Sequence, residues 1–333
     1  MKSILIKRNP KLDNAKYLLI VIVVFGHLIE LLINKNTLLK AIYLSIYSFH
    51  MPLFILIAGM LTKIIYSEKQ INKTISGILI PFILFTILYE ILNLFIYGNL
   101  SNYTLNFQPY WILWFLFSLF IYKILLPIII KFKFPVLLSI ITSLLAGYIN
   151  SIGYSFGISR TLYFFPFFII GYIYLDSLLL KLNKIPKKYY IIIIFLNIIF
   201  FYYMRDMPHQ WLYGSYSYGR LDMKEWFSWL IRLSFYIISF ITSISVLMII
   251  PDKELFFTKF GINSLYVYLW HGFFIKFISA LGLIILIKSL PSFALIIVIF
   301  LIALIISSFL SLTFIKNFTY NMLIKPIERI LLK

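Results

Sequence analysis

An all-α, polytopic membrane protein is predicted by three features of this sequence. Of its 333 residues, 62% are apolar or aromatic and 12% are charged, whereas a soluble domain carries about 25% charged residues. Mean hydropathy is +0.98. The apolar residues fall in blocks of about twenty, the length that crosses a hydrocarbon core as a helix. These features exclude an ordinary soluble enzyme, a disordered chain and a fibrous repeat. With 0 cysteines, disulfides and thiolate metal sites are excluded too.

The blocks predict about ten transmembrane helices, at 17–33, 41–62, 75–97, 109–130, 134–151, 161–178, 189–204, 226–250, 262–285 and 291–315. The first follows a basic head (Lys2, Lys7, Arg8, Lys11, Lys16) and has no small-residue cleavage site, so it reads as a retained span. The chain turns back at Lys63, Lys69 and Lys73 between the second and third spans, and at Lys131 and Lys133 between the fourth and fifth. Lys181, Lys184, Lys187 and Lys188 separate the sixth from the seventh, and Lys253 and Lys259 the eighth from the ninth. Lys316, Lys325, Arg329 and Lys333 follow the tenth. With the N-terminus in the cytoplasm, all these segments are inside and hold twenty of the 30 basic residues. The outside segments hold seven: Lys35, Lys40, Arg160, Arg205, Arg220, Lys224 and Lys288. Lys123, Arg232 and Lys276 fall within spans. The asymmetry predicts both termini in the cytoplasm and explains most of the net charge of +19 without nucleic acid as a partner. No internal repeat and no Gly/Ser linker is visible, so residues 1–333 read as one integral membrane domain with no separate soluble domain. The longest outer loop, about 203–225, is rich in Tyr and Trp. It reads equally as an interfacial aromatic belt and as a lid or sugar-binding surface.

A charged group at mid-membrane costs about 2.5–3.5 kcal/mol, so ionisable residues there usually face a bundle interior or a cavity. The candidates are His27, Glu30, His50, Glu90, Arg232, His271 and Lys276. Lys16 and His27 are about three helical turns apart, on one face and separated by about 16 Å along the axis. Glu30 follows one turn later, within reach of the imidazole, and Asp13 joins the stripe if the helix starts early enough. The spacing suits an elongated anionic cofactor, its phosphates near Lys16 and its reactive end near His27. Three further clusters carry polar groups in apolar surroundings. In SFHMPLFILIAGM (48–60), His50 precedes Pro52, which frees a helical carbonyl, and Gly59 permits close helix approach. In FGINSLYVYLWHGFFIK (260–276), Asn263 and Ser264 are placed to cap a helix, with His271 about two turns deeper. In SRTLYFFPFFIIGY (159–172), Arg160 stands at the outer edge of a span containing Pro166 and Gly171.

In this order the segments LDNAKYLLIVIVVFGH (12–27), YSFHMPLFILIAGM (47–60), WILWFLFSLF (111–120), SRTLYFFPFFIIGY (159–172) and GINSLYVYLWHGF (261–273) resemble the acyltransferase-3 family of integral membrane acyltransferases, in its fucose 4-O-acetylase-like branch. The resemblance covers nearly the whole chain. It implies transfer of an acyl group, usually acetyl, from cytoplasmic acyl-CoA to a hydroxyl of a surface glycan or its lipid-linked precursor, in a bacterial plasma membrane. It also implies that His27 is catalytic. Where the broad family has an Arg ahead of that His, this chain has Lys16, which keeps the charge and loses the bidentate fork; the fucose-acetylase branch is expected to carry such a Lys. The family's Arg pair before the third span is replaced by Lys63, Lys69 and Lys73.

On that reading acetyl-CoA is the acyl-donor substrate and no metal is expected. A sugar hydroxyl needs a base to take its proton, and histidine is the side chain suited to that near neutrality, worth about 10²–10⁴-fold. His27 is therefore expected as base, or as a covalent acyl carrier. Glu30 would orient it, and His50 or His271 would donate to the developing oxyanion. Lys16, Lys69 and Lys73 are the candidates for the CoA phosphates, and Trp111, Trp114 and Arg160 for the acceptor. Two other classes fit the intramembrane charges: a transporter or flippase of a glycan precursor, and a non-catalytic subunit of a polysaccharide synthase.

Overall fold

The computed structural model describes residues 9–34, 36–65, 67–153, 155–223 and 225–332. Lys2, Lys7, Arg8, Lys35, Lys224 and Lys333, which enter the charge asymmetry, lie outside the described residues. Among the described residues every regular element is helical. Seven helices among these residues are long and apolar enough to cross a membrane. They are α1 (Pro10–Glu30), α2 (Thr37–Leu61), α3 (Glu68–Tyr97), α4 (Trp111–Ile129), α6 (Ile158–Leu182), α8 (Ser228–Ile249) and α10 (Ser292–Leu310). Three shorter helices stand where the remaining spans are expected: α5 (Pro135–Ala146), α7 (Lys187–Tyr203) and α9 (Ser264–Ala280). The fifth and ninth are shorter than their apolar blocks. Asn150–Ile152 forms a 3₁₀ turn after α5, and the chain breaks at Leu281 before a four-residue helix, Ile284–Ile287.

α1 starts earlier than its apolar block. Asn9 caps it by accepting from the Lys11 N–H at 3.0 Å, and Pro10 occupies the first turn, where its missing N–H costs nothing. The early start brings Asp13 into the helix. α1 is also the most buried of the spans, and its neighbours α2, α9 and α10 surround it. Lipid-facing stripes lie on the periphery. On α3, Ile83, Ile87 and Ile91 are exposed at four-residue spacing, one face of a helix.

Polar groups tie the bundle together at both ends and at its middle. At the face where α1 begins, the Asn14 amide donates to the carbonyls of Pro251 and Lys253, both at 3.0 Å, and accepts from Thr258 at 2.6 Å. At the opposite face the Asn36 amide donates to Ser292 at 2.7 Å. Between them the Ser45 hydroxyl on α2 donates to Asn197 on α7 at 2.6 Å, and the Asn197 amide donates to Ser48 and to Thr242 of α8 at 3.2 Å. Interhelical hydrogen bonds of this kind hold helices where lipid supplies no hydrophobic drive.

The contact that sets the site is α2 against α6. A Cβ added to Gly59 would stand 2.2 Å from the Phe168 carbonyl oxygen, and one added to Gly171 would stand 2.1 Å from that of Leu56. Only hydrogen fits at either position. The crossing holds His50 and Met51, about two turns back along α2, beside Phe164 of α6.

Gly171→Val is therefore expected to destabilise the detergent-solubilised protein by about 1–3 kcal/mol or to prevent folding. Gly77→Ala, whose added carbon meets nothing within 4 Å, should unfold at the wild-type temperature or slightly above. Thermal unfolding followed by circular dichroism checks both.

Candidate active site

The last turn of α1 carries the centre of the site. His27 Nδ1 lies 3.1 Å from Glu30 Oε2, the i,i+3 partner its spacing predicts. A carboxylate only accepts, so Nδ1 carries the proton and Nε2 holds the lone pair. The Tyr47 hydroxyl on α2 is 3.3 Å from His27 Nδ1 and donates to Glu30 Oε2 at 3.5 Å. The Tyr213 hydroxyl donates to Glu30 Oε1 at 3.2 Å and shares a 2.5 Å hydrogen bond with Tyr43. Tyr213 belongs to the outer loop, outside the spans. Burial, then the charge of Glu30 and the Tyr43 hydroxyl, push its phenol far up, so it keeps its proton and stays a donor. His209, the fourth histidine, packs its ring on Tyr43 and Tyr213. Burial lowers its pKa, against the pull of Glu30 and with that of Lys40, which favours a neutral ring beside the pair.

Aromatic rings enclose the imidazole. Trp111 meets the His27 ring edge-on at a centroid distance of 5.0 Å, and His271 lies 5.6 Å away. Trp111 has a positive φ of 29°, a strained backbone conformation of the kind that clusters at functional sites. His271 and His50 are fully buried and share one arrangement. The His50 Nδ1 proton goes to the Ile46 carbonyl at 2.8 Å, and that of His271 to the carbonyls of Val267 and Tyr268 at 3.0 and 2.8 Å. With the Nδ1 proton on a carbonyl, each ring presents Nε2 as an acceptor, and donation to an oxyanion from either requires a second proton. His271 Nε2 has no hydrogen-bond partner among the described residues.

Two cavities meet at His27. The first, of about 210 Å³, runs from Lys16, Leu61 and Ser264 at the face where α1 begins to His27 and His271. Between those ends its walls are apolar: Ile20, Val23, Phe54, Ile57 and Phe115 among them. The second, of about 230 Å³, lies toward the opposite face and is lined by His27, Glu30, Tyr47, His50, Trp111, Trp114, Arg160 and Tyr213. His27, Met51, Ile112 and Trp114 border both. The Arg160 guanidinium lies over the rings of Trp114, at 5.2 Å, and Tyr213, at 5.6 Å.

Eight of the ten expected site residues therefore converge: Lys16, His27, Glu30, His50, Trp111, Trp114, Arg160 and His271. Lys16 reaches the first cavity already paired, its Nζ 2.6 Å from Asp13 Oδ1. An ammonium has three donors, so the pair reduces its free charge and leaves donors to offer. Lys69 and Lys73 do not join it. They line a separate cavity of about 410 Å³ with Tyr266, Tyr320 and Glu328, which touches the first one only at Leu265. The other intramembrane charges stay outside both central cavities. Arg232 donates to the carbonyls of Ser143 and Tyr216, Lys276 to Asn93, and Glu90 accepts from Ser101 and Thr104.

Sequence reasoning missed Tyr47 and Tyr213. Tyr43, Tyr47 and His50 share one face of α2 at four- and three-residue spacing, a signal that could have singled out Tyr47. Tyr213 carried none, since its place depends on how the outer loop folds. Much of that loop is packed: Trp211, Ser215, Ser217 and Tyr218 are buried, and Leu212 and Tyr213 line the second cavity.

These features define a helical membrane protein with a histidine–carboxylate pair at the junction of two chemically unlike cavities. The acyltransferase domain of the acyltransferase-3 family matches residues 9–312, and the chain belongs to that family. It is 28% identical to the nodulation protein NolL of Sinorhizobium fredii over 187 residues, 51% of this chain and 50% of that protein. It is 26% identical to the nodulation protein NolL of Mesorhizobium japonicum over 227 residues, 64% of this chain and 59% of that protein. The chain thus spans about half to three-fifths of the length of these relatives. No solved structure matches it.

Tyr213→Phe keeps the ring and removes one donor from Glu30. A hydrogen bond to a charged group is worth about 1.5–3 kcal/mol, so the thermal midpoint should fall by several degrees, and any turnover that depends on the His27–Glu30 pair should fall by up to roughly 10- to 150-fold. Parallel turnover and unfolding assays check this.

Proposed function

We propose that this protein is a membrane O-acyltransferase, in the first instance an O-acetyltransferase. It moves an acyl group from cytoplasmic acyl-CoA to a hydroxyl of a cell-surface glycan or its lipid-linked precursor in a bacterial plasma membrane. The observation that carries this reading is His27, a single imidazole bordering an apolar cavity on one side and a polar one on the other. The positive-inside asymmetry supports a cytoplasmic position for the face where α1 begins. Family membership supports the chemistry.

His27 is the base. Glu30 holds the Nδ1 proton, so Nε2 takes the proton of the acceptor hydroxyl as its oxygen attacks the thioester carbonyl carbon. Glu30 stabilises the imidazolium that results. The tetrahedral intermediate collapses with cleavage of the C–S bond, and the proton on Nε2 passes to the leaving thiolate, which departs as the thiol of CoA. His271 supplies an Nε2 acceptor among apolar walls, suited to an N–H of the donor's amide-containing arm. Arg160, in the polar cavity, offers positive charge to the acceptor side. Lys16, shared with Asp13, holds a donor phosphate as a point charge. Lys69 and Lys73 suit phosphates only if the donor extends past Leu265 into their separate cavity.

The test uses the purified protein in liposomes with acetyl-labelled acetyl-CoA and a glycan extract, following free CoA and label in glycan. The wild type should release CoA and label glycan; His27→Ala should abolish both and remain folded. Glu30→Gln should fall between them, roughly 10- to 150-fold down. Undiminished transfer by His27→Ala would remove His27 from the mechanism.

A further inference from the structure

The segment between α3 and α4 forms a second polar cavity at the face where α1 ends. It has a volume of about 800 Å³ and is lined chiefly by side-chain amides and phenols: Asn99, Asn102, Asn106, Gln108, Tyr103 and Tyr216. Tyr103 also lines the polar cavity that contains His27 and Arg160, so the two spaces share a wall. No Asp, Glu, Lys or Arg lines the larger one among the described residues. The side-chain amides of Asn99, Asn102 and Gln108 make no hydrogen bond with other described residues, while that of Asn106 donates to the Asn102 carbonyl at 2.7 Å.

The segment is held as a built element. Glu90, in α3, accepts from the Ser101 N–H at 3.0 Å, from the Ser101 hydroxyl, and from Thr104 at 2.6 Å. The Asn93 amide donates to the Asn99 carbonyl at 3.0 Å, and Asn93 Oδ1 accepts from Lys276 at 3.2 Å and from Tyr110 at 3.3 Å. The buried charges behind the cavity are thus engaged in holding its wall. Phe107, with a positive φ of 52°, turns the chain so that its carbonyl accepts from the Phe156 N–H at 3.0 Å.

A carboxamide donates and accepts side by side, the pairing that adjacent sugar hydroxyls present, and a phenol ring offers an apolar face with a polar tip. An uncharged lining with such groups suits a neutral polyhydroxylated chain better than an anionic one, which would call for Arg or Lys. The volume falls in the range of ligand pockets, about 300–1,000 Å³. We infer that this amide-lined cavity binds the uncharged oligosaccharide part of the acceptor and that Tyr103 leads its reacting sugar toward His27. The second clause rests on the acyl-transfer reading; the first stands without it.

The experiment measures binding, so it is independent of turnover. The full-length protein in lipid nanodiscs, as wild type, as His27→Ala and as an Asn99→Ala/Asn102→Ala/Gln108→Ala triple variant, is titrated with neutral gluco-, manno- and fuco-oligosaccharides of about seven sugars and with an oligogalacturonate of the same length. The three side chains are at least partly exposed and hold no other element, and unchanged thermal midpoints would verify folding. At least one neutral series should bind wild type and His27→Ala alike and bind the triple variant at least tenfold more weakly, and the oligogalacturonate should bind less than that series. Equal binding to wild type and triple variant, stronger binding of the oligogalacturonate, or no binding of any neutral series would overturn the assignment. Failure of transfer in every variant with saccharide binding intact would overturn the enzymatic reading and leave the cavity assignment standing.

Discussion

One helical turn separates His27 from Glu30, and the 3.1 Å contact between them fixes the orientation on which both cavities depend. If the carboxylate were lost or turned away, only the Tyr47 hydroxyl, 3.3 Å from Nδ1, would remain to orient the ring, and the lone pair of Nε2 would be less firmly directed toward bound molecules. A carboxylate in an apolar bundle needs donors of its own. Glu30 finds them in Tyr47 from α2 and Tyr213 from the outer loop. The pair therefore requires that α2 be drawn close, which the Gly59–Gly171 crossing helps to do, and that the outer loop fold inward over it. Its position at the end of α1 also requires that helix to be buried along its length. The most buried span thus carries two ionic contacts along its length, Asp13–Lys16 and His27–Glu30.

The remaining intramembrane charges follow the same rule with a different outcome. Arg232 has its two terminal nitrogens on backbone carbonyls and its guanidinium over the rings of Tyr163 and Tyr218. It ties α8 to the end of α5 and to the outer loop. Glu90 and Lys276 lie at the root of the segment after α3 and organise it through Ser101, Thr104 and Asn93. An ionisable residue within a span is expensive wherever it sits. In this bundle the expense maintains two kinds of feature: the histidine–carboxylate pair that borders the cavities, and the segments between spans that roof them.

Much of the site was legible because a helix imposes a period. Lys16, His27 and Glu30 could be aligned on one face from their numbers alone, and the Asp13–Lys16 pair follows once the cap at Asn9 starts the helix early. His50 and His271 stood out because only four histidines exist in the chain. The tyrosines did not stand out. With 25 of them, a single phenol carries no signal until the fold brings it to a carboxylate. Ring nitrogens are equally invisible in sequence. That His50 and His271 place Nδ1 on backbone carbonyls, and so face their surroundings as acceptors, emerges only from three-dimensional hydrogen bonding. Lys69 and Lys73 were candidates with Lys16 for one run of phosphates because they replace the family's Arg pair, and the sequence could not show that packing about Leu265 sets them in a cavity of their own.

The change of lining at His27 bears on what kind of protein this is. A carrier passes one cargo along one route, and the route must suit that cargo on both sides of its narrowest point. Here the walls from Lys16 to His27 are apolar with charge only at the entrance, while those beyond it bring carboxylate, phenol, indole and guanidinium together. A group comfortable in the first space is poorly solvated in the second, and the reverse. Two molecules of different chemistry, each entering from its own side, would both be accommodated, and their reactive ends would meet at the imidazole that borders both spaces. On the proposed reading that arrangement serves group transfer across a bundle and gives His27 its role, which a passage for a single cargo would leave without purpose.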